Sequence, residues 1–268
     1  MFEFLLASDQ PFETLNWWMI LTVALVHAVG CFIRGAYGFG SNMPIVVATT
    51  FIIGPHHAIL LALMTTIICQ IHLMPSGFKT ADWQVAKTLI PGMIIGSLFG
   101  TWAFTFLSGI SLQIILGILI VGIIVMDTFK LVEKLTNKFE IRSPKITGSF
   151  SFISGTMGGL SGAGAFYFLV VYLKHACPTP IALRGTNVML ATVTMSIRVT
   201  ALAFAGMITP TLITEGLLLS PIVCLATWLG AHAFKVSSSG RFYFTLQVLL
   251  ILGAVVLIFK GVKEVLVG

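Results

Sequence analysis

Two matched glycine clusters, each cutting into an apolar run, limit this chain more than any other feature. The first is Gly30 to Pro44, GCFIRGAYGFGSNMP; the second is Ser154 to Phe168, SGTMGGLSGAGAFYF. Shifting the second onto the first superposes Gly159 on Gly35, Gly162 on Gly38 and Gly164 on Gly40. The chain is 57% hydrophobic and only 9% charged, whereas soluble domains carry about a quarter charged residues. Its surface must be solvated largely by lipid. A broken helix facing lipid would leave N–H and C=O groups unpaired, so such a break survives only inside protein or beside a wet cavity. Matched breaks in two halves point to a binding site of the transporter kind.

At about 20 residues per crossing, 268 residues leave room for roughly eight to ten spans. The expected fold is all-α and polytopic: two homologous, inverted repeats of about five helical segments, broken at the glycine-rich loops. The division is a short N-terminal segment over 1–16, a first transmembrane repeat over 17–128, a basic cytoplasmic linker over 129–145 and a second repeat over 146–268. First-half segments are expected at Met19–Ile33, Ile45–Ile53, Ala58–Met74, Val85–Leu107 and Leu112–Met126, with a polar turn over Pro75–Lys79. Second-half counterparts are Ile146–Leu160, Ala165–Leu173, Ala182–Phe204, Leu212–Phe234 and Phe242–Phe259. Pro221 then answers Pro91, and Gly230 answers Gly100, as an internal duplication requires. Gly92, Gly96 and Gly100 recur on one helical face and let a neighbouring helix approach closely.

Charge sets the expected orientation. If all ten segments cross and the N-terminus lies outside, Lys79, Lys87, Lys130 to Lys145, Lys174, Lys235 and Arg241 all fall in the cytoplasm. Eight crossings would strand Lys174, Lys235 and Arg241 outside. The net charge of +6 is thus explained by loops at a membrane, and nucleic acid is not an expected partner. The lead MFEFLLASDQPFET has no basic region and does not read as a signal peptide.

Chemistry of the enzymatic kind finds little support. Cys31, Cys69, Cys177 and Cys224 lie in or beside separate apolar segments with no metal spacing and read as core-filling residues. No zinc-protease, nucleophile-elbow, Walker or dinucleotide motif is present, and no metal or cofactor is expected.

The arginines carry the stronger signal. Arg184, Asn187, Thr194 and Arg198 share one face of the segment Ala182–Phe204. Arg184 and Arg198 lie roughly 21 Å apart along that helix, at about 1.5 Å per residue, so both cannot reach one interface. No Asp or Glu lies well inside any expected span; Asp127 and Glu215 sit at ends. Arg34, Arg184 and Arg198 therefore lack an obvious protein counter-ion, and a bound anion would supply one. Forked guanidinium donors suit oxyanions. Arg34 also fits an anchor at the end of the first span, and Arg184 fits a side chain snorkelling to the surface. The candidate substrate residues are Arg34, Gly38, Gly40, Ser41, Asn42, Ser161, Gly162, Gly164, Arg184, Asn187, Thr194 and Arg198. His27, His72 and Gln70 are candidates for proton or substrate contact, with a hydrogen-bonded core role as the alternative for the histidines.

The break G-x-x-G-x-G followed by Pro44, the run GTMGGLSGAGA and the stretch Ala182-Leu-Arg-Gly-Thr186-Asn187 resemble the sulfite exporter TauE/SafE family, also called the toluene-sulfonate uptake permease family. The resemblance covers nearly the whole chain, although the first break reads GAYGFGSN rather than a run of three glycines. It implies a multi-pass protein of the cytoplasmic (inner) membrane that moves sulfite, sulfoacetate or a related organosulfonate. The family name favours export; related members are uptake permeases. A co-transported proton or sodium and a homodimer are further expectations. The rivals are an uptake permease for another small organic anion, a passive anion channel and a membrane-embedded redox enzyme using His27, His72 and Cys69.

Overall fold

The computed structural model describes residues 11–13, 15–112, 114–115, 118, 143–162, 169, 172–174 and 176–234. The expected segments Leu112–Met126 and Ala165–Leu173 lie mostly outside these residues, and Phe242–Phe259 lies wholly outside. The helices are α1 (Trp17–Tyr37), α2 (Asn42–Ile53), α3 (Pro55–Thr80), α4 (Trp83–Phe106), α5 (Pro144–Ser161), α6 (Pro180–Phe204) and α7 (Pro210–Phe234). The described chain is all-helical, and α1, α3, α4, α6 and α7 are long and apolar enough to cross a membrane. Trp17, Trp18, Leu25, Phe99, Trp102, Phe106, Leu217 and Trp228 are exposed on its outside. An apolar belt of this size suits lipid, and the protein is a polytopic membrane protein.

Local sequence explains where the helices start. Asn16 accepts from the Met19 amide, Asp82 from those of Gln84 and Val85, and Thr179 from that of Ala182. Each side chain satisfies donors that the first helical turn leaves unpaired. Pro55, Pro144 and Pro180 stand in first turns, where no amide donor is missed. The polar turn expected over Pro75–Lys79 is absent, because α3 runs through Pro75 to Thr80. Pro75 removes the donor that Ile71 O would have met, and intramembrane prolines are tolerated where the surrounding protein accommodates the freed carbonyl.

The 12-residue α2 rises only about 18 Å, well short of a hydrocarbon core of roughly 30 Å. It returns to the end of the bundle where α1 begins. His57, just after α2, bonds Glu215, which also binds the backbone of Phe12, just before α1.

Packing between the halves follows one rule. The first helix of each half packs on the last described helix of the other, α1 on α7 and α5 on α4, while α3 packs on α6. The contacts match residue by residue. A Cβ on Gly35 would strike the Thr227 carbonyl, and one on Gly159 would strike the Ser97 carbonyl. Reciprocally, Gly230 lies on the Phe32 carbonyl and Gly100 on that of Thr156. Gly92 and Gly96 press on Ser151 and Phe152 of α5. Small residues thus bring backbones together where lipid supplies no hydrophobic force between helices.

Candidate functional site

The two breaks meet, and each is capped from the other half of the chain. Gly38 turns left-handed at φ 78° and its N–H donates to Arg34 O at 2.7 Å; Gly162 does the same at φ 63°, donating to Gly158 O at 2.9 Å. Glycine takes these angles without a Cβ penalty. Carbonyls left open at the end of α1 are taken by α6: Arg184 Nη2 donates to Gly35 O at 2.7 Å and Asn187 Nδ2 to Gly38 O at 3.2 Å. At the second break, Gly162 O accepts from Asn42 Nδ2 at 2.6 Å, and Ser41 Oγ donates to Asn42 Oδ1 at 2.9 Å. Non-helical backbone is therefore paired inside protein, as lipid demands.

Arg34 is buried beside the first break, in the last turn of α1, where the helix dipole favours a cation. Its Nε and Nη2 donate to Gln70 Oε1 at 3.2 and 2.7 Å, its Nη1 donates to Ser41 Oγ at 3.1 Å, and Met195 Sδ lies 3.4 Å from Nη2. Gln70 is held in turn by Val188 O at 2.6 Å and Thr192 Oγ1 at 2.7 Å. The partners are neutral, so donors are satisfied while the positive charge remains.

Arg198 is 3% exposed, and its Nε and Nη2 have no hydrogen-bond partner. Its guanidinium carbon lies 5.7 Å from the centroid of the Phe104 ring, which eases burial of a cation without compensating it. Arg198 lines a cavity with Asn42, Ser97, Ser154, Gly162 and Thr194, closed by Met93 and Met195. The Ser97 and Ser154 hydroxyls in this lining, and that of nearby Thr101, are also buried and unpaired. Thr194 donates back to its own helix at Leu190 O, 3.0 Å away. Space for the centre of a water-sized sphere amounts to about 20 Å³, little more than one water needs.

The arrangement presents donors and a fixed positive charge. The one ion pair among the described residues is that of His57 with Glu215, so no described carboxylate neutralises Arg34 or Arg198. An unpaired buried guanidinium carries a desolvation cost of several kcal/mol. An oxyanion is larger than the single water this space admits, so it would relieve that cost and satisfy the orphaned donors only with the lining helices moved apart.

Of the residues expected from sequence, Asn42, Gly162, Thr194 and Arg198 come together at the cavity, with Arg34 and Ser41 immediately behind Asn42 and Met195. Gly38, Arg184 and Asn187 form the cap on α1, and Gly40, at φ 88°, shapes the turn beside it. Ser161 is buried and bonds Met157 O at 2.7 Å. Gln70 serves Arg34 rather than the cavity. His27 is buried in α1 with Nδ1 donating to Val23 O at 2.8 Å, and His72 is exposed on the outside of α3. Gly164 lies outside the described residues.

Sequence reasoning missed Ser97, Ser154 and Thr101. Ser97 and Thr101 each follow a glycine of the α4 stripe, and Ser154 opens the second cluster. They read as packing residues because small side chains suffice for packing.

The sequence model of the family described as Sulfite exporter TauE/SafE matches residues 22–257. No curated protein and no solved structure is similar enough to count as a match. Since the match takes in both breaks, the helices that cap them and every residue lining the cavity, the chain belongs to the Sulfite exporter TauE/SafE family of membrane transporters.

Proposed function

We propose that this protein is a secondary transporter exporting a small sulfur-containing oxyanion, sulfite or a short organosulfonate, across the cytoplasmic membrane by alternating access. The observation that carries this reading is Arg198, buried with Nε and Nη2 unpartnered, in a cavity whose Ser97 and Ser154 hydroxyls also lack partners. Arg34 adds positive potential from behind Asn42 and Met195. The exchange of packing partners between halves supports two inverted repeats, 17–128 and 146–268, moving against each other about the joined breaks. Arg198, Ser97, Ser154 and Thr194 would bind the oxygens, while Arg34, Arg184, Asn42 and Asn187 hold the breaks in register.

The test is thermal stabilisation of purified protein against sulfite, sulfoacetate, taurine, sulfate and acetate, paired with flux into proteoliposomes. A ligand for the folded state raises the transition by mass action. Sulfite or sulfoacetate should stabilise the wild type, and Arg198→Met should abolish both the shift and the flux. Unchanged flux in Arg198→Met would remove Arg198 from the site. Flux that never runs uphill under an ion gradient would make the protein a channel.

A further inference from the structure

One buried carboxylate lies at the end of the bundle where α1 begins, away from the anion cavity. Glu215 of α7 is 3% exposed, and its Oε2 accepts from His57 Nε2 at 2.5 Å while its Oε1 accepts from the Phe12 amide at 3.1 Å. The group thereby ties together α3 from the first half, α7 from the second, and the segment that leads into α1. Among the described residues Glu215 is the only buried acid, since Glu13 is exposed and Asp82 is half-buried at the start of α4. The neighbouring His56 donates to Leu107 O at 3.0 Å and packs its ring 5.4 Å from that of Phe104. Phe104 is the ring that Arg198 faces. Glu215 thus bonds His57, and the adjacent residue of α3, His56, packs against the ring that the unpaired guanidinium faces.

We propose, resting on the transport reading above, that His57 and Glu215 form the proton-coupling site and act as a latch on this end of the bundle. In the latched state the Glu215 carboxylate accepts from both His57 and the Phe12 amide. A proton taken from solvent onto Glu215 gives a neutral acid, raises the charge of the site by one and weakens both bonds. Loss of that proton restores them. The site thus exchanges one proton per opening, and nothing else is consumed. The other described titratable groups near the pair are His56 of α3 and Glu13 beside Phe12; the nearby ends of α1, α4 and α6 contribute none. A latch between halves is where one proton can bias how the halves pack, and by linkage that packing biases the proton equally.

The experiment uses the full chain in proteoliposomes with radiolabelled sulfite. Glu215→Gln, which keeps size and hydrogen bonding, should preserve sulfite–sulfite exchange and lose about tenfold of the stimulation by a pH gradient, within the usual span of coupling between sites. His57→Gln should give the same split. Gradient-driven flux surviving in both variants would overturn the proposal. A wild type that exchanges no sulfite would instead count against the transport reading, and the latch is then tested without any anion. Amide hydrogen exchange at Phe12, expressed as a protection factor, should lose protection on acidification in the wild type and become independent of pH in Glu215→Gln. The same pH response in both proteins would overturn the latch.

Discussion

The side-chain amide of Asn42 donates to the carbonyl oxygen of Gly162 at 2.6 Å, so the first glycine break is bonded directly to the second. Asn42→Ala would leave a buried carbonyl unpaired at the junction of the two halves. Removing one partner of a buried hydrogen bond costs about 1–3 kcal/mol. Thermal unfolding in detergent should show that loss. An unchanged transition would mean that the breaks are held together by packing alone.

Gly162 and Gly54 have similar φ values, 63° and 75°, but very different surroundings. A Cβ on Gly162 would strike Arg198 Nη1, whereas one on Gly54 meets nothing within 4 Å. Residues forced into such angles cost of order 1–3 kcal/mol each. Both alanine variants should therefore lose stability, and only Gly162→Ala should also lose anion-induced stabilisation, because it displaces the guanidinium. Equal loss of ligand response in Gly54→Ala would separate that response from Arg198.

Ser97 and Ser154 hydroxyls are buried without partners, which reverses the usual cost of removing them. Ser154→Ala deletes an unsatisfied group, so the apo transition should stay level or rise. Hydrogen bonds to charged groups are worth about 1.5–3 kcal/mol, so anion affinity should fall by roughly tenfold or more. Stability and affinity moving in opposite directions is the signature of a ligand-binding hydroxyl. A fall in stability with unchanged affinity would assign Ser154 to packing.

What the sequence disclosed here was mostly what lipid forbids. Breaks at Gly38 and Gly162, and arginines at positions 34 and 198, are costly enough in a membrane to need a stated reason; the fold supplies hydrogen-bond partners for the breaks and for Arg34, while Arg198 keeps two donors unpaired that only the proposed anion would answer. The extent of α3 was hidden because Pro75-Ser-Gly resembles a turn, and only tertiary pairing lets that helix continue. Ser97 and Ser154 were hidden for the opposite reason: a small hydroxyl residue in a helix usually bonds its own backbone, so nothing in the sequence marks the ones that do not. His57 and Glu215 stood at expected segment ends, far apart in sequence, and nothing local in the chain announces that α3 and α7 bring them together. The matched spacing of the two glycine clusters was visible in the sequence, but the exchange of packing partners between the helices that carry them was not.

That exchange gives a sharper test of the repeat than sequence spacing does. Gly35 rests on the Thr227 carbonyl and Gly159 on the Ser97 carbonyl, with Gly230 and Gly100 returning the contact on Phe32 and Thr156. In each case the neighbour is backbone, which cannot swing aside as a side chain can. Adding a methyl group into such a contact forces the helices apart, and overpacking of this kind costs typically about 1–3 kcal/mol. Gly35→Ala and Gly159→Ala should therefore lower the unfolding transition by similar amounts. The two contacts are separate, so the double variant should lose close to the sum, within about 0.5 kcal/mol. A large loss at one glycine and none at the other would show that only one of the two interfaces is close-packed, and the two halves could then not move as equivalent bodies.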